Sequence, residues 1–220
     1  EAAARGELAQ RMARNLEISA GAAEPEAKRG EIAVKRGEYL VADFDVSKGK
    51  AGLKAKSEGK VSMQPIAEAL ASSAGFEKIM RAPLTGREPE DYLLALALFT
   101  SGNVISVGAS AQARVFLEMA GSPPAYFATF FLFGENANAS VLVKTVFSSD
   151  SHECRGLFLS SGATAHCCFV QGNNAGVSSV AGMVAKLGER SQLKFMNSNL
   201  GGREKRDGFL FLQDERGSRC

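Results

Sequence analysis

Both histidines and three of the four cysteines lie between positions 152 and 168: His152, Cys154, His166, Cys167 and Cys168. Imidazole and thiolate are the ligands zinc prefers. Suppose that 157–159 and 165–170 are strands joined by a three-residue loop at 160–162, with Gly162 in the left-handed region. Cys154 then sits opposite Cys168, and His152, Cys154, His166 and Cys168 share one face. His152 and His166 would still lie four residue steps apart, roughly 13 Å at the strand rise. A regular hairpin therefore offers three ligands and a water at most. A Cys154–Cys168 cross-strand disulfide fits the same geometry, as does a set of small buried thiols beside incidental histidines. No spacing of a known metal motif is present. The expectation is no cofactor, with zinc on these four residues as the alternative.

Carboxylates and lysines offer two further chemistries. Asp43-Phe44-Asp45, after the apolar run Tyr39-Leu40-Val41-Ala42, resembles the first motif of the haloacid-dehalogenase phosphotransferases. The resemblance implies Asp43 as nucleophile and Asp45 as acid/base, with Val104-Ile105-Ser106 imitating the second motif. The family's later Gly-Asp-x-x-x-Asp magnesium motif is absent from the sequence. An Asp-x-Asp on the solvent face of a strand is the preferred reading. Lys48, Lys50, Lys54, Lys56 and Lys60 occupy a glycine-containing stretch, read as a basic loop or a hairpin turning at Glu58-Gly59. Such a loop suits nucleic acid or another polyanion. It lacks an aromatic over 47–60 on which a base could stack. Ala55 to Val61 misses a phosphate-binding loop by one residue and by the hydroxyl that holds magnesium. Gly108-Ala109-Ser110 could hold an anion at a helix start, or simply turn the chain. No Gly-x-Ser-x-Gly occurs, which disfavours a serine hydrolase.

These groups must be carried by a chain of 220 residues, 45% of them apolar, with a formal net charge of +2. A sizeable core is possible, and no global field recommends a polyanion. Four cysteines are too few for a disulfide scaffold, so a reducing intracellular compartment is favoured. Asn138-Ala139-Ser140 is a glycosylation triplet, relevant only to a secreted protein. No apolar run approaches the ~20 residues of a membrane span.

Taken in order, residues 1–17 read as a helix with a thin stripe of Ala4, Leu8 and Met12, an arm whose Leu8 and Met12 suit a partner. Residues 19–30 are linker-like. Leu40, Ala42, Phe44 and Val46 alternate as a strand. Helices are expected from Ser62 or Pro65 to Ser73, over Phe76–Met80, and from Pro89 to Phe99. A strand at 103–107 precedes a helix with Ala111, Val115, Phe116 and Met119 on one face. A hydrophobic hairpin follows, Tyr126–Phe133 and Val141–Phe147. The pair 157–159 and 165–170 comes next. Val177, Val180, Val184 and Leu187 suggest another helix. Late strands are expected at 192–196 and 209–212, around a polar turn at 201–208. No internal repeat or low-complexity tract stands out.

The expected fold class is α+β: a mainly antiparallel sheet of five or more strands with helices packed on one side. Residues 1–30 form an N-terminal helical arm and linker, 31–214 a single α+β domain, and 215–220 a C-terminal tail. The function expected is a non-catalytic structural or accessory subunit, working through contacts with other protein subunits in a larger assembly. The alternatives are a polyanion-binding module using 47–60 and a metal-dependent or phosphoryl-transfer enzyme.

Overall fold

The computed structural model describes residues 39–45, 50–54, 61–82, 84–121, 125–213 and 217–220. Leu8 and Met12, with the rest of the predicted arm and linker, lie outside the described residues. Three strands come first: β1 (Tyr39–Asp45), β2 (Lys50–Lys54) and β3 (Val61–Pro65). Three short helices follow: α1 (Ile66–Ser72), α2 (Ala74–Met80) and α3 (Glu90–Leu98). The rest is strand: β4 (Ser101–Val107), β5 (Gln112–Gly121), β6 (Tyr126–Phe133), β7 (Asn138–Phe147), β8 (Ser151–Leu159), β9 (Thr164–Asn173), β10 (Ser178–Leu187), β11 (Gln192–Gly201) and β12 (Glu204–Gln213).

The strands make two six-stranded sheets. Sheet I runs β2-β1-β5-β7-β9-β11, and sheet II runs β3-β4-β6-β8-β10-β12. From β4 onward the chain alternates between the sheets, and from β5 onward every pairing among the described strands is parallel. The molecule is a β-solenoid. Among the described residues, antiparallel pairing is confined to β1–β2 and β3–β4.

The expected antiparallel α+β sheet is therefore overturned. Tyr126–Phe133 and Val141–Phe147 are strands, but β6 belongs to sheet II and β7 to sheet I. The same holds for 157–159 with 165–170, and for 192–196 with 209–212. Short polar turns read as hairpins in sequence; here each turn carries the chain across the core to the other sheet. The predicted helices at 111–119 and 177–187 are β5 and β10. In β5 the inward set Val115, Leu117 and Met119 alternates with outward Arg114, Phe116 and Glu118. In β10 the inward side is Ser179, Ala181, Met183, Ala185 and Leu187, and the outward side is largely covered by α3. A strand buried on both faces loses its alternation, which lets a helical period fit it. The helices predicted over 76–80 and 89–99 form as α2 and α3, and the one predicted from Ser62 or Pro65 forms only from Ile66, as α1, because 61–65 is strand β3.

The chain also has an internal repeat that residue identity conceals. Register partners in sheet I step by 26 residues from Gln112 to Asn138 to Thr164, then by 28 to Gln192. The turns entering sheet I repeat with it: Gly108–Ala111, Gly134–Ala137, Ser160–Ala163 and Gly188–Ser191. The third residue of each has positive φ: Ser110 55°, Asn136 53°, Gly162 68° and Arg190 56°. The fourth residue, Ala111, Ala137, Ala163 or Ser191, is buried and donates its amide to the carbonyl of the first. Neighbouring turns also bond to one another, from the Ser110 amide to the Glu135 carbonyl (2.7 Å) and from the Asn136 amide to the Ser161 carbonyl (3.0 Å). A Cβ on Gly134 would stand 2.6 Å from the Ala109 nitrogen, so the stacked turns need glycine there.

Two cores result. One fills the space between the sheets with Phe127, Phe131, Phe133, Phe147, Leu157, Phe169 and Met183. The other lies between the helices and the outside of sheet II, with Phe76, Tyr92, Leu96, Phe99, Phe130 and Val184.

Candidate interaction surface

Strand alternation gives each sheet an outer face, and parallel register lines up its residues in rows along the solenoid. On sheet II one such row is Gly102, Ala128, Cys154, Gly182 and Gly208. All five are small. A Cβ on Gly182 would collide with the Tyr92 backbone, and one on Gly208 would lie 2.8 Å from the Pro89 Cβ. Gly102 faces Ile66 of α1, and the rest of the row is the seat of α3, whose Tyr92, Leu93, Ala95, Leu96 and Ala97 are buried. Arg206 on β12 closes the helix start with a bidentate contact to Asp91.

Sheet I carries the opposite arrangement. Its corresponding row is Phe116, Leu142, Cys168 and Met196, on β5, β7, β9 and β11. Leu142 is 38% exposed and Met196 57%, and no described helix covers them. On one side runs Arg114, Ser140, His166 and Lys194; on the other runs Glu118, Lys144, Val170 and Ser198. The Lys144 ammonium pairs with the Glu118 carboxylate across the strands at 2.6 Å. Beyond them lie Val146 and Leu200, the latter 59% exposed. Large apolar residues in register on an open sheet make a flat strip of the kind that marks a contact surface.

The four predicted zinc residues are divided between the two outer faces. His152 and Cys154 point outward from β8 in sheet II, and His166 and Cys168 outward from β9 in sheet I, with the core between them. The cysteines are free thiols. Among the described residues, no group of three or more His, Cys, Asp or Glu gathers to hold an ion. Cys154 serves as a small residue in the seat of α3, and its thiol meets the Tyr92 hydroxyl. Burial pushes Cys154 well above the usual thiol range, with the Glu153 charge adding to it. Burial also raises Cys167, helped by Cys168. Neither thiol is prepared as a nucleophile. His152 stacks on Tyr126 with ring centroids 5.0 Å apart, and His166 is exposed.

Lys50 and Lys54 bound strand β2, in a part of 47–60 expected as a basic loop or a hairpin turning at Glu58-Gly59, while Lys48, Lys56 and Lys60 lie outside the described residues. Asp43 and Asp45 lie in β1 of sheet I, whereas Val104-Ile105-Ser106 lies in β4 of sheet II. The two stretches that resemble phosphotransferase motifs thus belong to different sheets. Gly108-Ala109-Ser110 leads into a strand rather than a helix, so the anion site imagined there has no helix N-terminus. No helix among the described residues is long and apolar enough to cross a membrane.

No protein-family model matches this chain, and no curated protein or solved structure matches it significantly.

Sequence reading passed over the sheet I strip altogether. Its signal was present: Phe116 and Leu142 stand one coil apart, as do Leu142 and Cys168, and Met196 follows with the two extra residues between β9 and β10. Only the turn alignment makes that spacing visible.

Proposed function

We propose that this chain is a non-catalytic subunit that works by contact within a larger assembly, offering the outer face of sheet I to a protein partner. One observation carries the reading: the row Phe116, Leu142, Cys168 and Met196, with Leu142 and Met196 exposed and Phe116 and Cys168 half-buried, stands on a parallel sheet, whereas the matching row of sheet II is small and filled by the chain's own helices. A ladder-bonded sheet presents these side chains already ordered, which lowers the entropic cost of binding. The rims are polar, as contact surfaces are.

The test compares the native protein with Leu142→Asp and Met196→Asp, each isolated from its source cells and weighed by native mass spectrometry. The expected result is a defined assembly for the native chain and loss of its companion subunits in both variants, at unchanged unfolding midpoints. Companions retained by both variants would remove the strip from the function.

A further inference from the structure

We infer that the interior of the solenoid binds ordered water, held beside the phenylalanines by a polar group made of Asn103, Thr129, Thr145, Glu153 and Arg155.

Orphaned polar atoms are the first argument. Each of these five residues is at most 2% exposed. Six of their atoms have no hydrogen-bond partner among the described residues: Asn103 Oδ1, Thr129 Oγ1, Thr145 Oγ1, Glu153 Oε1, Arg155 Nε and Arg155 Nη1. The ion pair engages Arg155 Nη2 and Glu153 Oε2, so it satisfies none of the six. Six buried groups left unpaired would cancel much of the stability of a domain of this size.

Register gathers them. Asn103, Thr129 and Arg155 are successive partners on β4, β6 and β8, about 4.8 Å apart from strand to strand. Glu153 is the neighbouring inward residue on β8. Thr145 reaches the same part of the core from sheet I. Its partner on β9 is Gln171, the next inward residue after Phe169, over whose ring the Arg155 guanidinium sits. Beside Glu153 on β10 stands Ala181, followed by Ser179, whose buried hydroxyl is orphaned as well. Both side chains are small, in a core otherwise filled by phenylalanine.

Chemistry chooses the ligand. Arg155 Nε and Nη1 only donate, whereas Asn103 Oδ1 and the Glu153 carboxylate only accept. The hydroxyls of Thr129, Thr145 and Ser179 do either. A cation would leave the guanidinium nitrogens unmet, and an anion would leave the two oxygens unmet. The Glu153–Arg155 pair is neutral as a whole and holds neither ion by charge. Water both donates and accepts, and a buried water typically makes about three such bonds.

The test has two readouts on the full chain. A crystal structure at atomic resolution should show water within hydrogen-bond distance of Thr129 Oγ1, Thr145 Oγ1 and Arg155 Nε. In solution, magnetic relaxation dispersion of the water oxygen should detect molecules that stay bound for longer than the protein takes to tumble. Thr129→Val with Thr145→Val keeps the side-chain shapes, removes both hydroxyls, and should lower the dispersion amplitude by at least about one water. Glu153→Leu with Arg155→Met should lower it further. A dry interior in the native crystal, with the six atoms bonded directly to protein groups, overturns the inference, as does an ion in their midst. An amplitude equal in the native chain and in both double variants overturns it too.

Discussion

Arg155 and Glu153 stand two residues apart on β8, and Arg155 Nη2 lies 2.5 Å from Glu153 Oε2 inside the solenoid. Both side chains are buried, at 1% and 2% exposure. The guanidinium carbon sits 4.9 Å from the centroid of the Phe169 ring. Arg155 extends a polar inward row that begins with Asn103 and Thr129. The pair thus brings charge into the same interior that the phenylalanines fill.

Breaking this pair should cost more than deleting it. Arg155→Met leaves the Glu153 carboxylate buried without its partner and should destabilise by about 3–5 kcal/mol. Glu153→Leu combined with Arg155→Met should recover most of that loss. Urea unfolding of both variants at one pH is the check. A double variant no more stable than the single one would show that the ion pair itself stabilises the coil.

The seat of α3 should tolerate no side chain at its centre. Gly182→Ala puts a methyl into the Tyr92 backbone, and the helix must lift. The expected loss is about 1–3 kcal/mol. Amide hydrogen exchange should quicken in α3 and leave the turns Gly134–Ala137 and Gly188–Ser191 protected. Uniform quickening through the solenoid would mean that helix and coils unfold as one unit.

Acid should loosen the segment leading into α3. Burial alone would raise the Glu88 carboxyl. The Thr85 and Gly86 amides and the Thr85 hydroxyl all donate to it, and the net result lies below the usual 4.5. A lowered carboxylate contributes stability that is present above its unfolded value and is lost as pH falls through the folded one. Glu88→Gln should therefore reduce the drop in urea midpoint between roughly pH 5 and pH 3. An identical drop in both proteins would place the acid sensitivity elsewhere.

What could be read in advance followed local chemistry. Pro89 with Glu90 and Asp91 marked the start of α3, and the alternation after Tyr39 marked β1, because both signals live within a few residues. The partner of each strand was invisible for the opposite reason. Gly134–Ala137 would serve equally as a hairpin loop or as a solenoid corner, and nothing local says which. The decision is made a coil away, where Ala109 leaves room for Gly134 and Asn136 bonds to Ser161. Cys154 was misleading for a related reason. Its histidine and cysteine neighbours in sequence suggested metal, whereas its neighbours in the sheet, Ala128 and Gly182, make it one small residue in a row of five. The apolar strip of sheet I went unread because its members never approach one another along the chain.

The steady step from Gln112 to Asn138 to Thr164 also bears on how the body assembles in time. Every coil closes a loop of 26 or 28 residues, whatever the total length, so the entropic toll of each addition does not grow as the chain is consumed. Each coil touches only those above and below it, and a finished one is a template for the next. The helix-backed strands β6, β8 and β10, with β7 and β9 across the core from them, are the natural nucleus. Growth from there is a zipper, with a cost per tooth and no distant contact to wait for.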